Sequence, residues 1–409
     1  MGVVIIGAGH AGVQAAESLR TEGYEGAITL LEKTPHLPYQ RPPLSKDYMK
    51  AAGEPAPLPM RGEAFYAQHG IELRTGADVT GIDADTRLVR LADGEQLAYD
   101  DVIVAVGADA RRASCEGVGL AGVEYLRTVD DAATLRAQLD AGHGRVVVVG
   151  AGFIGLEFAA VAAKRGLEVT VIDFAQRPMQ RVLTPSMSEH FVRVHEGLGV
   201  TLRFNEGLDR FVGANGRVAG VVGTSGAHYP CDFAVVGLGV VTDEALAEGA
   251  GLGYDRGILV DEYLRSTVPH VYAIGDVAVF PSKRAGAPLR LESVQNATDM
   301  AKTVAKTVAG DPTEYDVAPW FWSNQGPAKL QIAGLADPAD IVIERGDRET
   351  GKFSQFLFRD ERLVAVESVN RPADHVASRK LLEHGATITM EQARDPEFDL
   401  KAYARALTQ

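Results

Sequence analysis

The chain has 409 residues, 46% apolar and 23% charged, the balance of a folded globular protein with room for roughly two to four domains. A formal net charge of −14 repels phosphodiester backbones and excludes nucleic acid as a general partner; no apolar run is long enough to span a bilayer, so no membrane is expected. The two cysteines, Cys115 and Cys231, lie far apart and outside any C-x-x-C spacing, which argues for a reducing compartment and against a metal or iron–sulfur site. The histidines show no metal-ligand spacing either. The first strand begins almost at Met1, leaving no room for a signal peptide, so a cytoplasmic protein is expected.

In chain order, Val3-Val-Ile-Ile runs into Gly7-Ala-Gly9-His-Ala-Gly12 and then into a helical pattern rich in Ala, Leu and Glu. Branched aliphatics suit a strand buried on both faces. The first glycine allows a tight turn, the second lets a pyrophosphate approach the backbone, and the third lets helix pack on strand. N–H groups at the helix start then hold phosphate charge. A second strand, Ile28-Thr-Leu-Leu, ends in Glu32, placed to accept hydrogen bonds from ribose hydroxyls. The crossing from Pro35 to Pro59 carries too many prolines for a long helix. Strands are predicted at Ile71–Arg74, Arg87–Leu91 and Asp101–Val106, the last closing on Gly107, and a helix over Asp130–Leu139.

The fingerprint then returns as Val146-Val-Val-Val-Gly150-Ala-Gly152-Phe-Ile-Gly155, followed by Val169-Thr-Val-Ile ending in Asp173. A helix over Ser186–Leu198 and the strand-to-turn Phe233-Ala-Val-Val-Gly237-Leu-Gly239 complete a repeat of the opening layout, as internal duplication would give. One G-x-G-x-x-G is weak, because glycine-rich turns are common. Two copies, each framed by strand, helix and a terminal acid, point to two dinucleotides. After Val241 the chain turns Ala- and Gly-rich, and Val271-Tyr-Ala-Ile-Gly-Asp276 is a strand ending in an acid. That acid reads either as a helix N-cap or as a carboxylate facing cofactor hydroxyls or phosphates. Helical spacing runs from Ser293 to Ala309. From Pro319, alternating strands at Lys329–Ala333, Ile341–Glu344, Phe353–Phe358 and Leu363–Val369 predict an antiparallel sheet, with one helix around Ala373–His384 packed on it. The tail beyond Asp395 is polar and marginally helical.

Taken together, Arg41-Pro-Pro-Leu-Ser-Lys46, Tyr125-Leu-Arg127-Thr, Gly150-Ala-Gly-Phe-Ile-Gly155-Leu-Glu157, Ala273-Ile-Gly-Asp276, Arg290-Leu-Glu292-Ser-Val294-Gln-Asn296-Ala and Pro319-Trp-Phe-Trp322-Ser, in this order, carry a family resemblance. The chain resembles, over nearly its whole length, the FAD-dependent, NADH-linked ferredoxin reductases of the putidaredoxin reductase and rhodocoxin reductase type. These serve cytochrome P450 and Rieske oxygenase systems. The resemblance implies an α/β fold with two Rossmann-like dinucleotide-binding domains and a C-terminal α+β domain. The FAD domain would be discontinuous, 1–110 and 243–318, with an NADH domain at 111–242 and residues 319–409 covering the flavin. The sequence departs from the family at Val106 and Ala110, where threonine and proline are usual, and at Asn324, where aspartate is common.

The implied reaction takes a hydride from NADH onto FAD and passes single electrons to a 2Fe–2S ferredoxin. The resemblance assigns FAD to Gly7, Gly9, Ala11, Gly12, Glu32, Lys33, Arg41, Lys46, Val79, Ala105, Gly107, Arg127, Asp276, Glu292, Val294 and Trp322. NADH falls to Gly150, Gly152, Phe153, Ile154, Gly155, Glu157, Asp173, Gly237 and Gly239. Lys46, Glu157 and Trp322 are the candidate catalytic residues. A lysine beside the flavin would favour the anionic reduced ring, and the resemblance pairs it with Glu157 near the nicotinamide; their plainer readings are a solvated lysine and an acid at a helix start. Asp173 favours NADH over NADPH by repelling a 2′-phosphate, although Arg177 and Arg181 follow closely. No sulfur lies in the crossing after Glu32, so electrons must leave by another route. Lys283, Arg284, Arg290 and Lys329 are candidates for a basic docking patch. Alternatives on the same scaffold are an NADH oxidase, a rubredoxin reductase, or a redox-sensing protein like apoptosis-inducing factor. A monomer is expected.

Overall fold

A computed structural model describes residues 1–50, 58–142 and 144–407; residues 51–57 of the Pro-rich crossing lie outside the described residues. Contacts divide the chain into two compact units, one of Met1–Gln40, Ala56–Asp109 and Val240–Pro319, the other of Arg41–Pro55, Ala110–Gly239 and Trp320–Gln409.

In the first unit the uninterrupted aliphatic run Gly2–Ile6 is buried throughout and lies between Ala27–Glu32 and Asp101–Val104, all parallel. Val271–Ala273 and Ile71–Thr75 complete a five-stranded sheet. The His10–Thr21 and Val294–Val308 helices join its core through Ala15, Ala16, Met300 and Ala301, all with no exposed surface. The strand order steps to either side of Gly2–Ile6, and a crevice outside the strand C-termini is where such sheets bind nucleotides. Val79–Asp83, Leu88–Leu91 and Gln96–Ala98 form a separate antiparallel sheet.

The second unit repeats this plan. Arg145–Val149 lies between Glu168–Asp173 and Phe233–Val236, flanked by Thr201–Phe204 and Val123–Tyr125, again all parallel. A small antiparallel sheet, Leu208–Ala214, Arg217–Gly223 and His228–Pro230, matches the one in the first unit. The duplication is incomplete at one edge: Val271–Ala273 comes late in the chain, whereas Val123–Tyr125 precedes the fingerprint of its own sheet.

The same unit holds the predicted C-terminal antiparallel sheet, in the order Trp320–Gln325, Ala328–Gly334, Arg362–Val369, Lys352–Arg359, Ile341–Asp347, with the Pro372–Glu383 helix against it. The polar tail is more ordered than its composition suggests. Buried Arg345 donates to the carbonyls of Gln392, Asp395, Pro396 and Phe398 at 3.3, 2.5, 3.2 and 2.8 Å, and short helices form at Met390–Arg394 and Leu400–Ala406.

Within this unit, Glu367 of the C-terminal sheet meets Thr184, the N-cap of the Pro185–Gly197 helix. Glu367 has no exposed surface; its Oε1 accepts the Thr184 N–H at 2.9 Å and its Oε2 lies 2.7 Å from Thr184 Oγ. Thr184 Oγ also lies 2.8 Å from Gln355 Oε1, and one hydroxyl proton cannot serve both oxygens. A proton on Glu367 resolves the conflict, and burial pushes its carboxyl up from 4.5 to about 7. A raised folded-state pKa means the contribution is complete below about 4.5 and is lost as pH rises through about 7. Glu367→Gln keeps the hydrogen-bonding shape of the protonated acid. It is therefore expected to leave stability near pH 5 almost unchanged and to raise it near pH 8 by up to roughly 3 kcal/mol. Urea unfolding of both proteins at the two pH values checks this; a pH-independent difference contradicts it.

Candidate functional site

Both glycine loops are built the same way, and the built shape is a nucleotide cradle. Gly7 has φ +99° and Gly150 φ +110°, a backbone region closed to most side chains, and each approaches the strand at its side so closely that a Cβ would lie 2.6 Å from Ala105 O or 2.3 Å from Gly237 O. The helices start at Gly9 and Gly152, whose side chains cannot cap them, and a Cβ at either position would meet nothing within 4 Å. A helix start with open space over its glycine lets a phosphate approach the backbone, which fits a pyrophosphate in each loop.

The two terminal acids serve the loops before they serve any ribose. Glu32 accepts the Ala8 N–H at 3.2 Å and the Thr34 N–H at 3.0 Å; Asp173 accepts the Ala151 N–H at 2.5 Å and the Ala175 N–H at 2.7 Å. Each carboxylate thus pins its glycine loop and keeps further lone pairs for ribose hydroxyls. Arg177 is unsuited to a 2′-phosphate: its guanidinium donates to Leu183 O at 2.7 Å, Ser188 Oγ at 2.7 Å and Gln180 O at 3.2 Å. Arg181 is exposed beside Gly239.

Among the other expected FAD residues of the first unit, Ala11 packs under Gly275 and Lys33 pairs with Asp78 at 3.2 Å on the surface. Val79 opens the Val79–Asp83 strand, and Gly107 takes φ +72° just beyond buried Ala105. Asp276 lies within the short Gly275–Val277 turn, and Arg290 donates to its carbonyl at 3.0 Å while pairing with Glu292 at 2.7 Å. The cap of the helix that opens on Val294 is Ser293, so the N-cap reading of Asp276 does not hold. In the second unit, Arg127 precedes the capping box of the Val129–Asp140 helix, its N–H bonding Asp131 at 3.0 Å. Phe153 meets Phe321 in a tilted contact, ring centres 4.6 Å apart, and Ile154 is exposed.

The Pro-rich crossing folds into a short Pro42–Ser45 turn, with Arg41 at its start and Lys46 at its end, followed by a single helical turn, Asp47–Lys50. This delivers Lys46 to Glu157, Nζ to Oε2 2.7 Å, with side-chain exposures of 11% and 4%. Lys46 is therefore no solvated surface lysine. Glu157 is the fifth residue of the Phe153–Lys164 helix, past its first turn, so the helix-start reading fails as well. Sequence reasoning missed the rest of the cluster. Ser45 Oγ donates to Glu157 Oε2 and Ser323 Oγ to Oε1, both at 2.5 Å. Gln325 donates to Ser323 Oγ at 2.8 Å and meets His195 Nε2 at 3.0 Å. Ser45 and Ser323 stood inside the quoted motifs, each beside a chosen residue; nothing in the sequence marked Gln325 or His195.

Trp322 does not join this cluster. Along Trp320–Gln325 the side chains alternate, so Ser323 and Gln325 are buried on one face while Trp320, Trp322 and Asn324 share the other, half-buried one. Trp322 lies 5.6 Å from Trp320, which is itself held by Arg379, 4.0 Å over its ring, and by His375 at 5.8 Å. The thiols offer no electron outlet: Cys115 and Cys231 are unpaired, and burial raises both, Cys231 to about 12. The expected basic patch is weaker than its residues suggest. Lys283, Arg284 and Arg290 face Glu314, Asp316 and Glu292, so each of these three charges is matched by an acid.

Comparison with known proteins agrees with this geometry. Residues 1–301 match the family described as pyridine nucleotide-disulphide oxidoreductase, and residues 320–404 match the reductase C-terminal family. The chain is 46% identical over 401 residues to rhodocoxin reductase of Rhodococcus erythropolis, spanning 98% of this chain and 94% of that protein. The ferredoxin reductase for the CYP199A2 system of Rhodopseudomonas palustris superposes with a TM-score of 0.96 at 46% identity, over 98% of this chain and 99% of that one. Putidaredoxin reductase in its covalent complex with putidaredoxin gives 0.94 at 35% identity, over 100% and 99%. No described helix is long and apolar enough to cross a membrane. With two nucleotide cradles, no redox-active cysteine pair and a C-terminal sheet of this kind, the chain belongs to the pyridine nucleotide-disulphide oxidoreductase family, in its ferredoxin reductase group.

Proposed function

We propose that this chain is an NADH:ferredoxin reductase acting as a monomer in the cytoplasm, passing electrons to a 2Fe–2S ferredoxin of a cytochrome P450 or Rieske oxygenase system. Bound FAD supplies the exchange between a two-electron hydride and single electrons. The protein's part is to bind, orient and set charge. The Gly7–Gly12 loop, Glu32 and Asp276 hold FAD, and the Gly150–Gly155 loop and Asp173 hold NADH. Lys46 presents a fixed cation, Glu157 orients it, and Trp322 offers an aromatic face. The corresponding domain ranges are 1–110 with 243–318 for FAD, 111–242 for NADH, and 319–409 for the C-terminal domain.

The observation that carries this reading is the buried Lys46–Glu157 pair, which joins the crossing to the second nucleotide helix where no thiol is available. The test is NADH-driven cytochrome c reduction with 2Fe–2S ferredoxins and a rubredoxin added one at a time, repeated with NADPH. Turnover is expected to depend on one ferredoxin, and kcat/KM is expected to favour NADH by on the order of 10²-fold, since Asp173 repels the extra phosphate and Arg177 cannot neutralise it. Turnover only with rubredoxin, or without any carrier, overturns the partner assignment, and an NADPH preference overturns the role of Asp173.

A further inference from the structure

The cluster around Glu157 has a direction, and a single atom sets it. Gln325 Nε2 lies 3.2 Å from the Phe153 carbonyl, which can only accept. That contact fixes the amide: nitrogen toward Phe153 O and Ser323, oxygen toward His195. His195 Nε2 must then carry its proton and donate it to Gln325 Oε1 at 3.0 Å. The second Gln325 N–H donates to Ser323 Oγ at 2.8 Å, leaving the Ser323 proton for Glu157 Oε1 at 2.5 Å. From the other side, Ser45 and Lys46 both donate to Oε2, at 2.5 and 2.7 Å, and Lys46 is held in turn by Pro42 O at 3.2 Å. Each link from His195 through Gln325 and Ser323, and from Ser45 and Lys46, donates toward Glu157. His195, Ser323 and Gln325 have no exposed surface and Glu157 only 3%, so water does not compete for these bonds. Burial also pushes His195 down to about 4, consistent with a neutral ring carrying a single N–H.

We propose that His195, Gln325, Ser323 and Ser45 are positioning residues: a one-way hydrogen-bond chain that holds the Glu157 carboxylate aimed at Lys46. A carboxylate can use every donor offered here, whereas a protonated acid would confront a second O–H at 2.5 Å. The chain also links four segments distant in sequence, so the position of Lys46 depends on the C-terminal strand being seated against the Phe153–Lys164 helix. The kinetic consequence rests on the function proposed above; the structural claim does not.

The test uses flavin-loaded Ser323→Ala and Gln325→Glu. In the second the buried acid has to carry a proton to face the Phe153 carbonyl, so the donor that now fixes Ser323 is lost or redirected and Ser323 is no longer held toward Glu157. Infrared difference spectra should show the carboxylate stretches of Glu157 shifted in Ser323→Ala relative to wild type, and the shifted bands lost when Glu157→Gln is added. Flavin reduction by NADH should slow on the order of ten-fold in both variants, with NADH binding unchanged. Unshifted carboxylate stretches, or an unchanged reduction rate in both variants while Glu157→Gln itself is slow, overturn the proposal. If the infrared shift appears while Glu157→Gln itself reduces at the wild-type rate, the hydrogen-bond chain stands and the catalytic reading of Glu157 falls.

Discussion

Gly12→Ala is expected to yield protein without flavin, whereas the matching change, Gly155→Ala, is expected to keep flavin and lose efficient use of NADH. The physical reason is the same at both positions. A Cβ at Gly12 would lie 1.9 Å from Gly7 O, and one at Gly155 would lie 2.2 Å from Gly150 O. Both obstacles are backbone atoms of the cradle itself, so no rotamer change relieves the clash and the helix must move off its loop. Displacing the helix by about 1 Å withdraws the N–H groups from the phosphate, and misplacement on that scale costs on the order of 10²-fold. For the first loop this appears as loss of a tightly held cofactor. For the second it appears as a fall in kcat/KM for NADH of about that size. Flavin content from the visible spectrum of purified protein, with NADH kinetics on whatever flavin is retained, separates the two. If Gly155→Ala emptied the flavin and Gly12→Ala did not, the assignment of the two repeats would be reversed.

Glu157→Gln should slow flavin reduction by NADH on the order of 10²-fold while leaving FAD retention intact. The substituted amide fills the same space, but it withdraws the negative charge from a lysine whose side chain is only 11% exposed. A buried cation deprived of its partner is costly, so Lys46 is expected to shift toward solvent, which spoils a fixed charge. Lys46→Met should slow the same step, and the double variant should be little worse than either single one, because the two residues act as a unit. Stopped-flow traces decide the matter: additive losses would mean independent roles, and wild-type traces for Glu157→Gln would remove it from the reaction.

Much of this was legible in the sequence because it depends on local constraints. A run such as Val146-Val-Val-Val has no polar position to face water, and a glycine triplet at fixed spacing fits one kind of strand-to-helix turn. The β-branched alternation after Trp322 likewise marked its sheet. The polar tail read as only marginally helical; its Leu400–Ala406 helix forms, and the segment before it is held by Arg345, about fifty residues earlier, satisfying carbonyls that the tail cannot satisfy alone. Lys46 and Glu157 could be named singly, but their pairing crosses 111 positions and depends on how the crossing folds back.

The sequence by itself determined the two nucleotide cradles, their acids, the parallel sheets around them and the lack of a usable thiol pair, since each follows from side chains within one or two turns of one another. Only the tertiary structure decided what surrounds Glu157. Ser45, Ser323, Gln325 and His195 come from three separated segments, and what they do depends on the direction of protons, which is fixed by the Phe153 carbonyl. It also decided that Arg177 is spent on its own loop and that Lys283, Arg284 and Arg290 are matched by acids. Residue type gives the charge a side chain can carry; only packing shows whether a neighbour has already used it.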